Sequence, residues 1–330
     1  MKTTKLDYIN IFFAIILGLL IILNFATRFK NKEQDKMLWN AEIHSSAKDS
    51  LSGNLNSIKI IDAVFYNNFN HSESNLDSES KLITSAKSEN FVYFKIWEKE
   101  LLPDSLSLKY FSIDERQFYH LTVSLPYQKM KDLAKGKNDV PVLILEIQPK
   151  GKALLKIILQ QKENSVSHFV QEFTAKKNTG DLDMLVYEKS LGQKYNRYES
   201  IENITDYSDL LQNQYKWAVK IEKDEKDVLK SVYAFSFKED RIEILEDNDT
   251  IVARNIPKTF YISGKNKKEY YIQYNFSPIE ILSAFRKLKK IDSSDSITFT
   301  FKVHRNEYIK CEISKNGIVI PLKDLYPEKP

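Results

Sequence analysis

The sequence predicts an α+β fold: two similar lobes of mostly antiparallel sheet, each with one covering helix, preceded by a single transmembrane helix. Three observations predict it. Residues 102–126, LPDSLSLKYFSIDERQFYHLTVSLP, and 256–278, IPKTFYISGKNKKEYYIQYNFSP, set out one strand–turn–strand–proline plan twice. Apolar residues alternate with period two through most of the chain, as they do along half-buried strands. Residues 9–26, INIFFAIILGLLIILNFA, form an uncharged apolar run.

The apolar run comes first. As a helix it would extend about 27 Å, close to a hydrocarbon core of roughly 30 Å. A core helix would carry a polar face, yet only Asn10 and Asn24 interrupt it near its ends. A cleaved signal peptide would end in small residues, and NFATRF is a poor site. No cysteine follows to accept a lipid, so the run is expected to be an uncleaved anchor over 9–27. Lys2 and Lys5 precede it, and Arg28, Lys30, Lys32 and Lys36 follow it. The positive-inside rule counted strictly would keep the following domain in the cytoplasm. A short basic N-terminus before a large domain suits the opposite topology.

The first hairpin sets Leu106, Leu108 and Tyr110 against a returning strand with Tyr119, Leu121, Val123 and Leu125 on one face. Phe118, His120, Thr122 and Ser124 take the other face. In the second copy Tyr270, Ile272, Tyr274 and Phe276 share a face. A shift of 154 residues aligns the opening strands, and a shift of 151 aligns the returning ones. Each return runs into a proline-started helix: Pro126 before Tyr127, Met130 and Leu133, and Pro278 before Ile279, Leu282 and Phe285. Ser277 and Glu280 have capping-box spacing. Two further strands follow each helix: 140–147 and 153–159 around the turn PKG, then 296–303 and 308–314 around HRNE. Lys315-Asn316-Gly317 leads into a last strand, IVIPL.

Upstream, Trp39 and Trp217 each open an alternating segment, and further strands are expected at 58–66, 91–97, 228–237 and 241–245. HSESNLDSESK (71–81) reads as a solvated loop, and 206–215 as a short helix with Asp206 as its cap. The organisation is thus a cytoplasmic N-terminus (1–8), anchor (9–27), spacer (28–36) and first lobe (37–165). A linker with a short helix (166–212), second lobe (213–326) and tail (327–330) complete it.

Composition limits the chemistry. The chain has 330 residues with 42% hydrophobic side chains, enough for two buried cores. Its 49 Lys and Arg nearly balance 45 Asp and Glu and are dispersed, which excludes an extended nucleic-acid footprint. The densest basic run, RKLKK at 286–290, closes a helix where cations complement the dipole. Cys311 is the only cysteine and falls in a strand, so no intrachain disulfide can form. His44, His71, His120, His168 and His304 are scattered without metal-ligand spacing. No phosphate-binding loop, dinucleotide fingerprint or nucleophile elbow occurs.

Asp114 and Glu115 in the first turn and Glu269 in the second could be offered as paired carboxylates, but hairpin-tip charges are mostly solvated. His120 shares a face with Thr122 and Ser124, which a polar outer strand face explains as well as a nucleophile–base pair does. Tyr270, Tyr271, Tyr274 and Phe276 suggest a stacking platform, against which core packing is the stronger reading.

The stretch LPDSLSLKYFSIDERQFYHLTVSLPYQKMKDL, with PKGKALLKIIL, YKWAVKI and IPKTFYI, resembles a family of uncharacterised bacterial lipoproteins, domain of unknown function 2931. The likeness would cover roughly 38–325. It implies an envelope protein with its bulk in the periplasm, and no catalytic residues. The chain departs from that family in carrying an apolar helix where a lipidated cysteine would stand.

The function expected from the sequence is that of a non-enzymatic, membrane-tethered envelope protein acting as a binding module. It would meet the membrane through 9–27 and a protein partner, with no cofactor, metal or nucleic acid. An immunity-type inhibitor of a secreted toxin is one alternative. A hydrolase of envelope lipid or glycan is another.

Overall fold

The computed structural model describes residues 5–33, 35–48, 54–76, 81–85, 91–135, 140–161, 164–188, 193–194, 201–244, 251–265, 269–292, 294–303 and 309–324. Residues 1–4, the middle of the 71–81 stretch, the HRNE turn with His304, the centre of the GKNKKE turn and the tail 327–330 lie outside them.

The chain opens with helix α1 (Lys5–Glu33). Its described side chains run from 10 to 24, and Ile11, Phe12, Phe13, Ile15, Leu17 and Ile22 are each more than half exposed. Among the described residues no helix is long and apolar enough to cross a membrane.

The first half then supplies β1 (Asn40–Ser45), β2 (Asn54–Asn67), β3 (Ser72–Asn75), β4 (Lys81–Ser85), β5 (Val92–Lys95), β6 (Ser105–Ser112) and β7 (Gln117–Ser124). Helix α2 (Tyr127–Ala134) leads to β8 (Val142–Ile147), β9 (Lys152–Gln161), β10 (Asn164–Thr174) and β11 (Lys176–Asn178). One sheet has the order β10-β9-β8-β1-β5, with β1 and β8 parallel and the other pairs antiparallel. The other runs β11-β7-β6-β2-β3, with β4 also on β2. The core lies between them: Ala41, Ile43, Leu143 and Leu145 from one sheet meet Leu108, Tyr110 and Leu121 from the other, and Met130 and Ala134 of α2 close it.

A connection follows with α3 (Asp183–Val186), β12 (Tyr187–Glu188), β13 (Gln193–Lys194) and α4 (Ile204–Gln212). The second half supplies β14 (Gln214–Lys223), β15 (Val228–Ser236), β16 (Arg241–Ile244), β17 (Val252–Asn255), β18 (Pro257–Lys265) and β19 (Glu269–Asn275). Helix α5 (Pro278–Lys289) precedes β20 (Ile297–Val303), β21 (Lys310–Lys315) and β22 (Ile318–Leu322). Its sheets are β17-β14-β20-β21-β22 and β16-β15-β18-β19, and β14 and β20 are again parallel.

The two halves agree beyond strand order. Leu108 faces Leu121, and the residues 154 and 151 further on, Ile262 and Ile272, face each other. The ladder from β2 to β6 slips between Ile60 and Asp62, and that from β15 to β18 slips between Leu229 and Ser231, both 169 residues later. The Trp39 indole donates to the Leu101 carbonyl at 3.1 Å, and the Trp217 indole to that of Asn255 at 3.2 Å. Leu101 and Asn255 are themselves 154 apart.

Several expectations need correction. The linker expected from 166 begins instead with β10 and β11, which complete the first pair of sheets. Strand β3 lies within the stretch read as a loop from 71. The cap of α4 is Asn203, whose side chain accepts from the Asp206 amide at 2.8 Å; Asp206 is already inside the helix. Ser277 stands at the start of α5 without a side-chain capping bond, and Glu280 Oε2 instead accepts from the Lys323 amide at 3.3 Å. On α5 the buried stripe is Ile281, Leu282, Ala284, Phe285 and Leu288, with Ile279 only half-buried. Phe118, placed on the outer face of β7, is buried all the same.

Phe118 is buried by the seam between the halves. With Phe111 and Ile113 it belongs to the second core, against Leu185, Ile201, Tyr207 and Leu210. The β6–β7 turn carries charge into the same seam. Arg116 pairs with Asp209 of α4 at 2.7 Å, and Arg286 of α5 reaches Asp209 and Asp206 at 2.6 and 2.7 Å.

Candidate binding face

The residues with the best claim to acid–base chemistry are engaged structurally. Asp114 Oδ1 accepts from Lys48 Nζ at 2.7 Å and Gln212 Nε2 at 2.6 Å, and its Oδ2 accepts from the Ser57 amide at 2.7 Å. Glu115 accepts from the Tyr119 hydroxyl and the Lys150 amide, both at 2.7 Å. These carboxylates clamp the hairpin tip to its neighbours: Asp114 is half-buried there, while Glu115 keeps its bonds at an exposed position, as a solvated tip would have it. Burial and then Glu115 push the Tyr119 phenol up to about 12. Glu269, on the other hairpin, is exposed and pairs with Lys230.

His120 Nε2 lies 2.9 Å from Thr122 Oγ1 and 3.5 Å from Ser107 Oγ, so the face assignment holds and hydroxyls do meet an imidazole. Among the described residues no carboxylate orients that ring, and Ser124 is exposed apart from it. A nucleophile–base pair needs such a third group to fix its tautomer and direction. His44 stacks on Phe91 and lies 2.6 Å from Glu42, and His71 bonds Tyr66 at 3.0 Å. Cys311 is buried in β21, and burial pushes its thiol well above the ordinary range, which makes it inert. No group of three or more potential metal ligands occurs among the described residues.

The aromatics divide between two roles. Ile272, Tyr274 and Phe276 are core residues, and Tyr270 packs partly buried against them. Tyr271 points the other way and is 56% exposed. It adjoins a ladder on the outer face of the β16-β15-β18-β19 sheet. Tyr233 and Tyr261 stack at 4.9 Å and 20°, and Tyr261 and Tyr271 lie 5.8 Å apart at 36°. Phe235 meets Tyr233 and Tyr261 edge-on at 6.0 and 5.9 Å. The Arg241 guanidinium covers the far side of Tyr233 at 4.3 Å, in cation–π contact.

Against known proteins, no family model, no curated protein and no solved structure matches the chain. The site is read from its own geometry.

Partial burial, followed by a hydrogen bond to Tyr233, raises the Tyr271 phenol to about 12, so it is neutral at physiological pH. Arg241 is paired with Glu243 at 2.7 Å. The face is therefore aromatic, hydroxyl-bearing and locally charge-balanced. At the matching positions of the first half stand Val64, Tyr66, Ser107 and His120, so the aromatic ladder belongs to the second half alone. The sequence had pointed at Tyr271 but grouped it with its core-facing neighbours. Alternation along β19 separates them.

Proposed function

We propose that the protein is a non-enzymatic binding module, built by internal duplication and tethered to a membrane by α1, which presents the Tyr233–Tyr261–Tyr271 face to a partner protein. The observation that carries this reading is the outward aromatic ladder itself, half-buried at Tyr233, Phe235 and Tyr261 and exposed at Tyr271. Tyrosine and arginine are enriched among the side chains that dominate protein recognition energies, tyrosine because it offers large contact area at low entropic cost.

The tether rests on the uncharged run 9–26 within a continuous helix of 29 residues. From 10 to 24 the helix is apolar all round and the described side chains lie outside both cores, which suits lipid better than water. Likeness to the envelope lipoprotein family contributes the orientation, with the bulk on the outer side. Matching strand orders, matching ladder slips and the paired tryptophan bonds support the duplication.

The test is co-purification of the full chain from membranes in mild detergent. The native protein should retain one partner at fixed stoichiometry, and Tyr233→Ser with Tyr261→Ser should lose it while keeping the fold. Turnover of envelope lipid or glycan by the full chain, without a retained partner, would replace this reading with a hydrolase.

A further inference from the structure

The two halves differ at one sheet edge. In the first half β7 is not an edge: β11 pairs with it, placing Lys176 opposite His120 and Asn178 opposite Phe118. The equivalent strand β19, 151 residues later, pairs only with β18 among the described residues. Its amides alternate in direction. The Phe276 amide donates towards β18, to the Lys258 carbonyl at 3.0 Å, and the Asn275 amide turns away to Asp324 Oδ1 at 3.1 Å. By that alternation the backbone groups of Glu269, Tyr271 and Gln273 face away from β18. They stand where β11 would bond, and an open strand edge of this kind is a template for another strand. Just past the strand Phe276 makes an isolated antiparallel bridge to Asp324, so among the described residues the uncovered stretch runs from 269 to 273.

We propose that β19 pairs antiparallel with β19 of a second copy of this chain, joining two four-stranded sheets into one. The register follows from the residues. Pairing centred on Glu269 would set two carboxylates opposite one another. Pairing centred on Gln273 would need the Asn275 amide, already held by Asp324. Pairing centred on Tyr271 sets Glu269 of one copy against Gln273 of the other, with no like charges opposed. It also brings the exposed Tyr271 rings of both copies together, so the two ladders meet across a twofold axis. Such an interface is isologous and closed. The inference uses the edge alone and stands or falls separately from the binding role, although a shared membrane would raise the effective concentration of the two copies.

Cysteine cross-linking of the full chain in membranes tests it. Directly opposed residues of a hydrogen-bonded antiparallel pair have Cα atoms about 5.5 Å apart, within disulfide reach. Native Cys311 is buried and does not compete. Under mild oxidant Tyr271→Cys should give a dominant covalent dimer, and Glu243→Cys on the opposite sheet edge should give none. Gln273→Pro removes an outward amide and leaves the ladder to β18 intact, so it should halve the mass in detergent. Equal cross-linking at 271 and 243, or an unchanged mass in Gln273→Pro, would overturn the proposal.

Discussion

Trp39 and Trp217 show how one side chain fixes an element. Both are buried, Trp39 just before β1 and Trp217 within β14, and each satisfies its indole N–H on a carbonyl far along the chain. A buried N–H left unbonded costs about 1–3 kcal/mol, so the bond selects one placement of the chain. The sequence marked both residues as strand openers, but the carbonyl that receives them is a tertiary fact. Glu146 was invisible in the sequence. Burial alone would raise its carboxyl, but the hydrogen bond from Lys156 at 2.6 Å, aided by Gln148, wins and lowers it. A carboxyl lowered on folding adds stability above the unfolded value of about 4.3, and that stability is lost as pH falls through the folded value. Glu146→Gln should therefore cost about 1 kcal/mol at neutral pH in urea unfolding. The difference from the native protein should shrink as the pH is taken below about 4.

At the scale of elements, the legible strands were those dense in apolar residues, β2 and β15 among them although both ladders slip. Strand β10 was missed because its register to β9 shifts between Phe169 and Gln171. The shift puts Val170 and Phe173 inside while Val166 and Phe169 face out, so no single period of two describes the strand. Strand β17 has four residues and is half exposed, too short for a periodic signal. Helix α5 began on its proline and α2 one residue after its own, and the capping hydroxyl of Ser277 was not used. The PKG turn was legible, and its physical demand is strict. Gly151 has φ 78°, and a Cβ there would lie 2.8 Å from the Ala175 carbonyl and 2.9 Å from the Tyr119 ring. Gly151→Ala should cost about 2 kcal/mol, combining the left-handed backbone penalty with that crowding. Chemical denaturation of the variant would measure it.

At the scale of the whole molecule, sequence patterning described each half but not how they meet. Phe118 sits on the polar-looking face of β7, where alternation alone would leave it in water. It is buried because the connection, with α3 and α4, carries the second core to it. Through that contact, and the Arg116–Asp209–Arg286 ion pairs, the halves should unfold in one transition. Phe118→Ala should cost about 3 kcal/mol. It should also separate the thermal transition into two steps in calorimetry. A single step with unchanged midpoint would mean that the seam adds nothing to cooperativity.

The slip shared by the β2 and β15 ladders bears on history. On the proposed duplication, an irregularity found at equivalent positions in both copies predates the copying, so the ancestral half-length polypeptide already had a kinked strand and a tryptophan latch. The hairpin turns differ in length and the aromatic ladder is confined to one copy, so in those features the copies diverged afterwards. The traits that diverged are the ones on the surface.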